Sequence, residues 1–210
     1  MANKYEKRKF NVFEHFPIMG RAALSMTMKR FMKRHQATNK KLKERIMLSV
    51  AEVNGCVLCS YVHTKIALQT GISMEEIKEI LQGEMDQVPI DEVLAVLFAK
   101  DYAFNKEHVD QEFYQKLEHT YGVYKARAIL NVCTVITMTT SMGISMGLFK
   151  ETLMLRHIKG SHILNEILIP LVTLVFFPLF FIFSLFIVPF SILKLKKRFR
   201  HHQKPSSTSK

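Results

Sequence analysis

The sequence predicts an all-α protein that ends in a membrane segment, and three observations predict it. Upstream of residue 163 the chain reads as helices throughout, with no stretch of alternating β-branched residues long enough to form a strand. Gly, Pro and small polar residues punctuate that stretch where helices start and stop. Finally, Ile167 to Leu193, ILIPLVTLVFFPLFFIFSLFIVPFSIL, contains no charged residue.

The expected helices run from Pro17 to Arg34, Lys40 to Glu52, Val57 to Thr70, Met74 to Leu81, Asp91 to Phe104, Val109 to Thr120 and Val123 to about Leu155. Asn54 and Gly55 break the second from the third. Gly71 closes the third, Ser73 and Glu76 form a capping box for the fourth, Gly83 closes the fourth, and Pro89 with Asp91 opens the fifth. The apolar run comes last. As a helix it would extend about 40 Å, against a hydrocarbon core of about 30 Å, so a single tilted crossing is feasible. Pro178 near its middle offers the alternative of a re-entrant hairpin that dips into one leaflet. The run lacks a polar stripe, so it is expected to offer apolar surface all round and to leave the preceding domain independent of it.

With 210 residues, 48% hydrophobic and 23% charged, the chain is long enough for one domain with a core, and too rich in apolar residues to be disordered. Three cysteines exclude a disulfide-stapled secreted scaffold. The chain opens on basic residues rather than on an apolar leader, which points to a domain facing the cytoplasm. The net charge of +12 suggests nucleic acid until it is located. Residues 1–166 carry only +5 of it, while the last 44 residues hold seven Lys/Arg and no acid. The excess therefore belongs to the membrane flank, where Lys194, Lys196, Lys197, Arg198 and Arg200 would meet anionic headgroups. The basic stretch Lys29 to Arg45 lacks interleaved aromatics beyond Phe31, so a solvated or membrane-facing helix is expected and no nucleic-acid partner. The organisation read from this is a basic segment at 1–15, a helical domain over 16–160, a membrane segment over 163–193 and a basic disordered tail from 194 to 210.

Chemistry concentrates in Glu44 to Thr70, ERIMLSVAEVNGCVLCSYVHTKIALQT. Cys56, Cys59 and His63 open a helix directly after the Asn54–Gly55 turn, and spacings of three and four put them on one helical face. The helix N-terminus and a neighbouring imidazole both favour a thiolate, so a reactive dithiol is the natural reading. Cys-x2-Cys-x3-His also supplies three zinc-type ligands, with His35, Glu44 or Glu52 as conceivable fourths, but no second Cys/His pair exists. Cys133, alone in an apolar run, reads as a buried small hydrophobe, the methionines near small residues as packing or an oligomer interface, and His201 with His202 as part of the basic tail.

At these residues the sequence resembles the alkylhydroperoxidase D (AhpD-like) or carboxymuconolactone decarboxylase family. Glu44 stands twelve residues before the first cysteine, Asn54 and Gly55 directly precede it, and Cys56, Cys59 and His63 complete the pattern. Ala67 and the Gly71, Ser73, Glu75, Glu76, Ile77 run are similar to the family's next segment, and a weaker likeness reaches Val93 to Met142. The resemblance spans about Phe16 to Leu148 and leaves the membrane segment outside it.

It implies an AhpD-like helical bundle, assembled as a homo-oligomer and needing neither metal nor flavin. It also implies thiol-dependent hydroperoxide reduction or a related dithiol/disulfide oxidoreductase activity, with a hydroperoxide as substrate and a lipoyl or thioredoxin-like protein as reductant. Cys59 would attack, Cys56 would resolve to a Cys56–Cys59 disulfide, His63 would take the thiol proton and Glu44 would orient His63 or relay its proton. Some members carry a histidine between the cysteines where this chain has Leu58, which shortens the relay. Decarboxylases of the family lack the paired thiols, so lactone decarboxylation is not expected. The competing reading is a non-catalytic or zinc-holding helical membrane adaptor on the same scaffold.

Overall fold

The computed structural model describes residues 8–31, 38–156, 158 and 160–202. Among them all regular structure is helical: α1 (Val12–Phe31), α2 (Lys40–Asn54), α3 (Val57–Gln69), α4 (Met74–Gln82), α5 (Ile90–Phe104), α6 (Gln111–Tyr121), α7 (Val123–Leu153) and α8 (Ile163–His202). Arg34, His35 and the 203–210 end of the tail lie outside the described residues.

The expected and observed helices differ mainly at their ends, and caps explain the differences. α1 begins at Val12 rather than Pro17 because Asn11 Oδ1 accepts the Glu14 N–H at 2.9 Å, leaving Pro17 in the second turn with one backbone bond forgone. α6 begins at Gln111 because Asp110 Oδ1 accepts the N–H groups of Glu112 and Phe113. Asn39 caps α2 in the same way through Leu42 N at 2.7 Å.

The helices enclose two apolar clusters. The first joins α2, α4, α5, α6 and the first half of α7 around Ile46, Ile77, Phe98, Leu117 and Ile129. Beside it Arg45 is buried with its guanidinium between two carboxylates, Glu76 Oε2 at 3.1 Å and Glu92 Oε2 at 2.7 Å, which ties α2 to α4 and α5. The second cluster joins α1, the second half of α7 and the start of α8, through Ile18, Met19, Ile144, Leu148 and Ile169, and it contains Cys56 and Cys59.

α7 and α8 are both long and apolar enough to cross a membrane. Burial separates them: 61% of the apolar window of α7 is inside the fold, against 17% for α8. α7 is thus the central core helix, and α8 exposes Leu171, Leu174, Phe183, Phe186 and Phe190.

The expectation that α8 would be apolar all round and independent of the domain is overturned. Ile169, Thr173, Ser184 and Val188 are buried, and their spacing defines one helical face. Thr173 Oγ1 and Ser141 Oγ each lie 2.7 Å from a ring nitrogen of His15, which links α8, α7 and α1. Farther along, the hydroxyls of Thr27 and Ser184 are hydrogen-bonded, and Phe16 packs edge-on against Phe176 and Phe180 at 5.7 and 5.1 Å. Two isolated hydroxyls in a run of Leu, Ile and Phe leave almost no trace in a hydropathy pattern, which is why the sequence conceals this stripe. The helix continues through Pro170, Pro178 and Pro189 without forming a hairpin, and through the basic residues to His202 where a disordered tail was expected.

Candidate active site

The site begins where α2 stops. Gly55 takes a left-handed conformation (φ 74°) that ends α2, a geometry glycine adopts without a steric penalty. The chain then reverses into α3 with Cys56 as its N-cap, Sγ accepting the Cys59 N–H at 3.3 Å. Asn54 locks the turn: its Nδ2 donates to Thr140 Oγ1 on α7 at 3.1 Å, and its Oδ1 accepts from Arg8 at 3.3 Å. The N-terminus of α3 is thus fixed against α7.

Cys56 and Cys59 are joined as a disulfide with their Cα atoms 5.3 Å apart. Both residues are buried, Cys56 to 1% exposure and Cys59 to 7%. The Thr139 carbonyl oxygen lies 3.8 Å from Cys59 Sγ. Gly143, one turn further along α7, forms the wall behind both sulfurs: a Cβ there would sit 2.8 Å from Cys56 Sγ and 3.1 Å from Cys59 Sγ.

Four residues after Cys59, His63 Nδ1 lies 2.7 Å from Glu44 Oε2 on α2. A carboxylate oxygen accepts, so the ring donates to Glu44 through its Nδ1–H. Glu44 is nearly fully buried, and Lys43 Nζ at 3.6 Å faces its other oxygen. The imidazole is therefore held by a buried carboxylate, on the same helix as Cys59.

The four site residues expected from the sequence fall on two adjoining helices: Glu44 on α2, and Cys56, Cys59 and His63 at the start of α3. Leu58, which stands between the two cysteines in the chain, is about half exposed. Of the conceivable zinc completions, Glu44 is engaged by His63, and no group of three or more His, Cys, Asp or Glu side chains among the described residues is disposed to hold a metal ion. Cys133 is fully buried, and burial pushes its thiol well above the ordinary range.

Gly143 and Thr140 escaped the sequence reading. The available signal was a glycine within a long helical stretch, where it costs about 1 kcal/mol relative to alanine and so marks a close approach.

Fold and site together define an all-α dithiol protein with a carboxylate-supported histidine. The carboxymuconolactone decarboxylase family model matches residues 21–99, so over that stretch the chain is similar to this family. The match contains Glu44, Cys56, Cys59 and His63 and stops short of α6, α7 and α8. Comparison with curated proteins and with solved structures yields no match.

Proposed function

We propose that the protein is a membrane-seated, thiol-dependent hydroperoxide reductase or closely related dithiol/disulfide oxidoreductase. The observation that carries this reading is the Cys56–Cys59 disulfide at the start of α3, with the Glu44-bound His63 on the same helix. His63 Nε2 takes the Cys59 proton. The Cys59 thiolate attacks the outer oxygen of a hydroperoxide, the O–O bond breaks, and the alkoxide leaves as alcohol with a proton, so Cys59 becomes a sulfenic acid. Cys56 then attacks that sulfur, forms the disulfide and releases water. An external dithiol protein returns two electrons and two protons. Val57, Leu58, Tyr61 and Val62 are exposed apolar residues around the sulfurs, suited to covering by that reductant or by a second copy in a homo-oligomer.

α8 supplies the membrane seat. It lies alongside α1 from Asn165, which accepts the Val12 N–H at 3.4 Å, to Ser184. An upright crossing would carry the charged Glu14 and Arg21 of α1 into hydrocarbon. Embedding the outer face of α8 in one leaflet avoids this and keeps the site on the cytoplasmic side.

The test is a trapping experiment. After peroxide, Cys56→Ser should hold Cys59 as a sulfenic acid that a dimedone-type reagent labels. Labelling of Cys56 in Cys59→Ser instead would reverse the roles. His63→Ala should slow oxidation by about 10²–10⁴-fold, and Glu44→Gln by less.

A further inference from the structure

Away from the sulfurs, a cavity of about 440 Å³ opens between α1, the loop joining α5 to α6, the first half of α7 and the end of the apolar run of α8. Its polar lining is unfinished. Asn131 is 8% exposed and lines the cavity, yet its Nδ2 has no hydrogen-bond partner, and neither has the buried Nε of Arg127 beside it. Both are donors, and a buried donor without an acceptor is costly, so the missing group is an acceptor. Arg21 and Arg127 make the cavity cationic. The carboxylate on its wall, Glu107, is already held by Arg8 at 2.6 and 3.1 Å. The acceptor the cavity lacks is therefore an anion, and the planar guanidinium fork suits a carboxylate.

The remaining wall sets Leu24, Met28 and Leu130 beside the hydroxyls of Ser25, Tyr102 and Thr134. A second cavity of about 240 Å³ shares Ser25 and Asn131 with the first and continues along Met26, Met47, Val132 and Val135, with Lys29 and Lys43 also on its wall. A small anion would leave these surfaces without an apolar partner. We propose that the two cavities form a binding site for a long-chain carboxylate, its head on Arg127, Asn131 and Arg21 and its chain against the methionine and valine side chains. Ser191 on the first cavity's wall belongs to the end of α8's apolar run, so a seated molecule would present this opening at headgroup level. The head of this site stands apart from the sulfurs, because Asn131 and Gly143 are twelve residues apart on α7, about 18 Å along the helix, while Lys43 on the second cavity's wall also faces Glu44.

The test uses the full chain in phosphatidylcholine vesicles and a palmitate analogue carrying a photoactivatable diazirine on its chain. Mass spectrometry should place adducts on the α1 and α7 peptides that contain Met26 and Val132. Oleate should suppress these adducts, whereas methyl oleate and inorganic phosphate at the same concentration should not. Arg127→Gln should reduce labelling at least tenfold with the far-UV circular dichroism unchanged. If that variant misfolds, Arg21→Gln, at an exposed position, decides by the same criterion. Adducts confined to the outer face of α8, equal competition by methyl oleate or by phosphate, or undiminished labelling in the folded arginine variant would overturn the proposal.

Discussion

Gly143 shows how much of the site rests on one missing methyl group. A Cβ at 2.8 Å from Cys56 Sγ is closer than packed atoms tolerate, and neither α7 nor the capped turn at Asn54 is free to retreat. Gly143→Ala should therefore destabilise the protein by about 1–3 kcal/mol despite alanine's better helix propensity, which for a chain of this size lowers Tm by about 2–4 °C per kcal/mol. It should also slow disulfide formation. A variant that melts higher than wild type and closes the disulfide at the wild-type rate would show that the close approach is relaxed at little cost. Arg45 works by charge rather than by space. Arg45→Met leaves Glu76 and Glu92 buried without their cation and should cost about 3–5 kcal/mol, read from denaturant unfolding, whereas a triple replacement of all three by apolar residues should recover most of that.

Among the elements, α8 is held to the domain by a small number of polar contacts on an otherwise apolar face. Burial lowers the pKa of His15 to about 4, so the imidazole is neutral between Ser141 and Thr173. A histidine whose pKa falls on folding stabilises the folded state fully above its free value of about 6.5, and that contribution is lost as pH falls toward 4. Melting temperature in neutral detergent should thus drop between pH 7 and pH 5, and His15→Gln should flatten the dependence. The elements themselves were largely legible, because Gly55, Ser73, Gly83 and Pro89 act locally and mark helix ends whatever the tertiary context. Asn11 and Asp110 were equally local signals, and reading them as caps corrects two helix starts. The docking face of α8 was not legible, since it depends on which side of a uniformly apolar helix meets α1.

For the whole molecule the consequence is that the tail belongs to the fold. A chain ending at His162 would uncover Ile18, Met19 and Leu148 in the cluster that also holds both site cysteines. Such a chain should aggregate or melt well below the full protein, the reverse of what an all-round apolar anchor implies. The full chain should stay with membranes through carbonate and high-salt washes, because screening within about 10 Å at 0.1 M removes only electrostatic attachment. Tags at its two ends should be reachable from one side of a vesicle. The candidate site was legible to the extent that it is local: Cys56, Cys59 and His63 lie within eight residues, and Glu44 comes from a spacing carried by family likeness. The α7 wall lies about eighty residues away in the chain, and no local pattern connects Gly143 to the sulfurs. The most direct measurement of the central claim is a thiol count on the reduced full chain before and after one equivalent of hydroperoxide, with the products mapped by mass spectrometry. The account predicts loss of two thiols together as a Cys56–Cys59 disulfide, with Cys133 still reduced and one alcohol formed per disulfide. Peroxide consumption that is unchanged in the Cys56→Ser, Cys59→Ser double variant would contradict it.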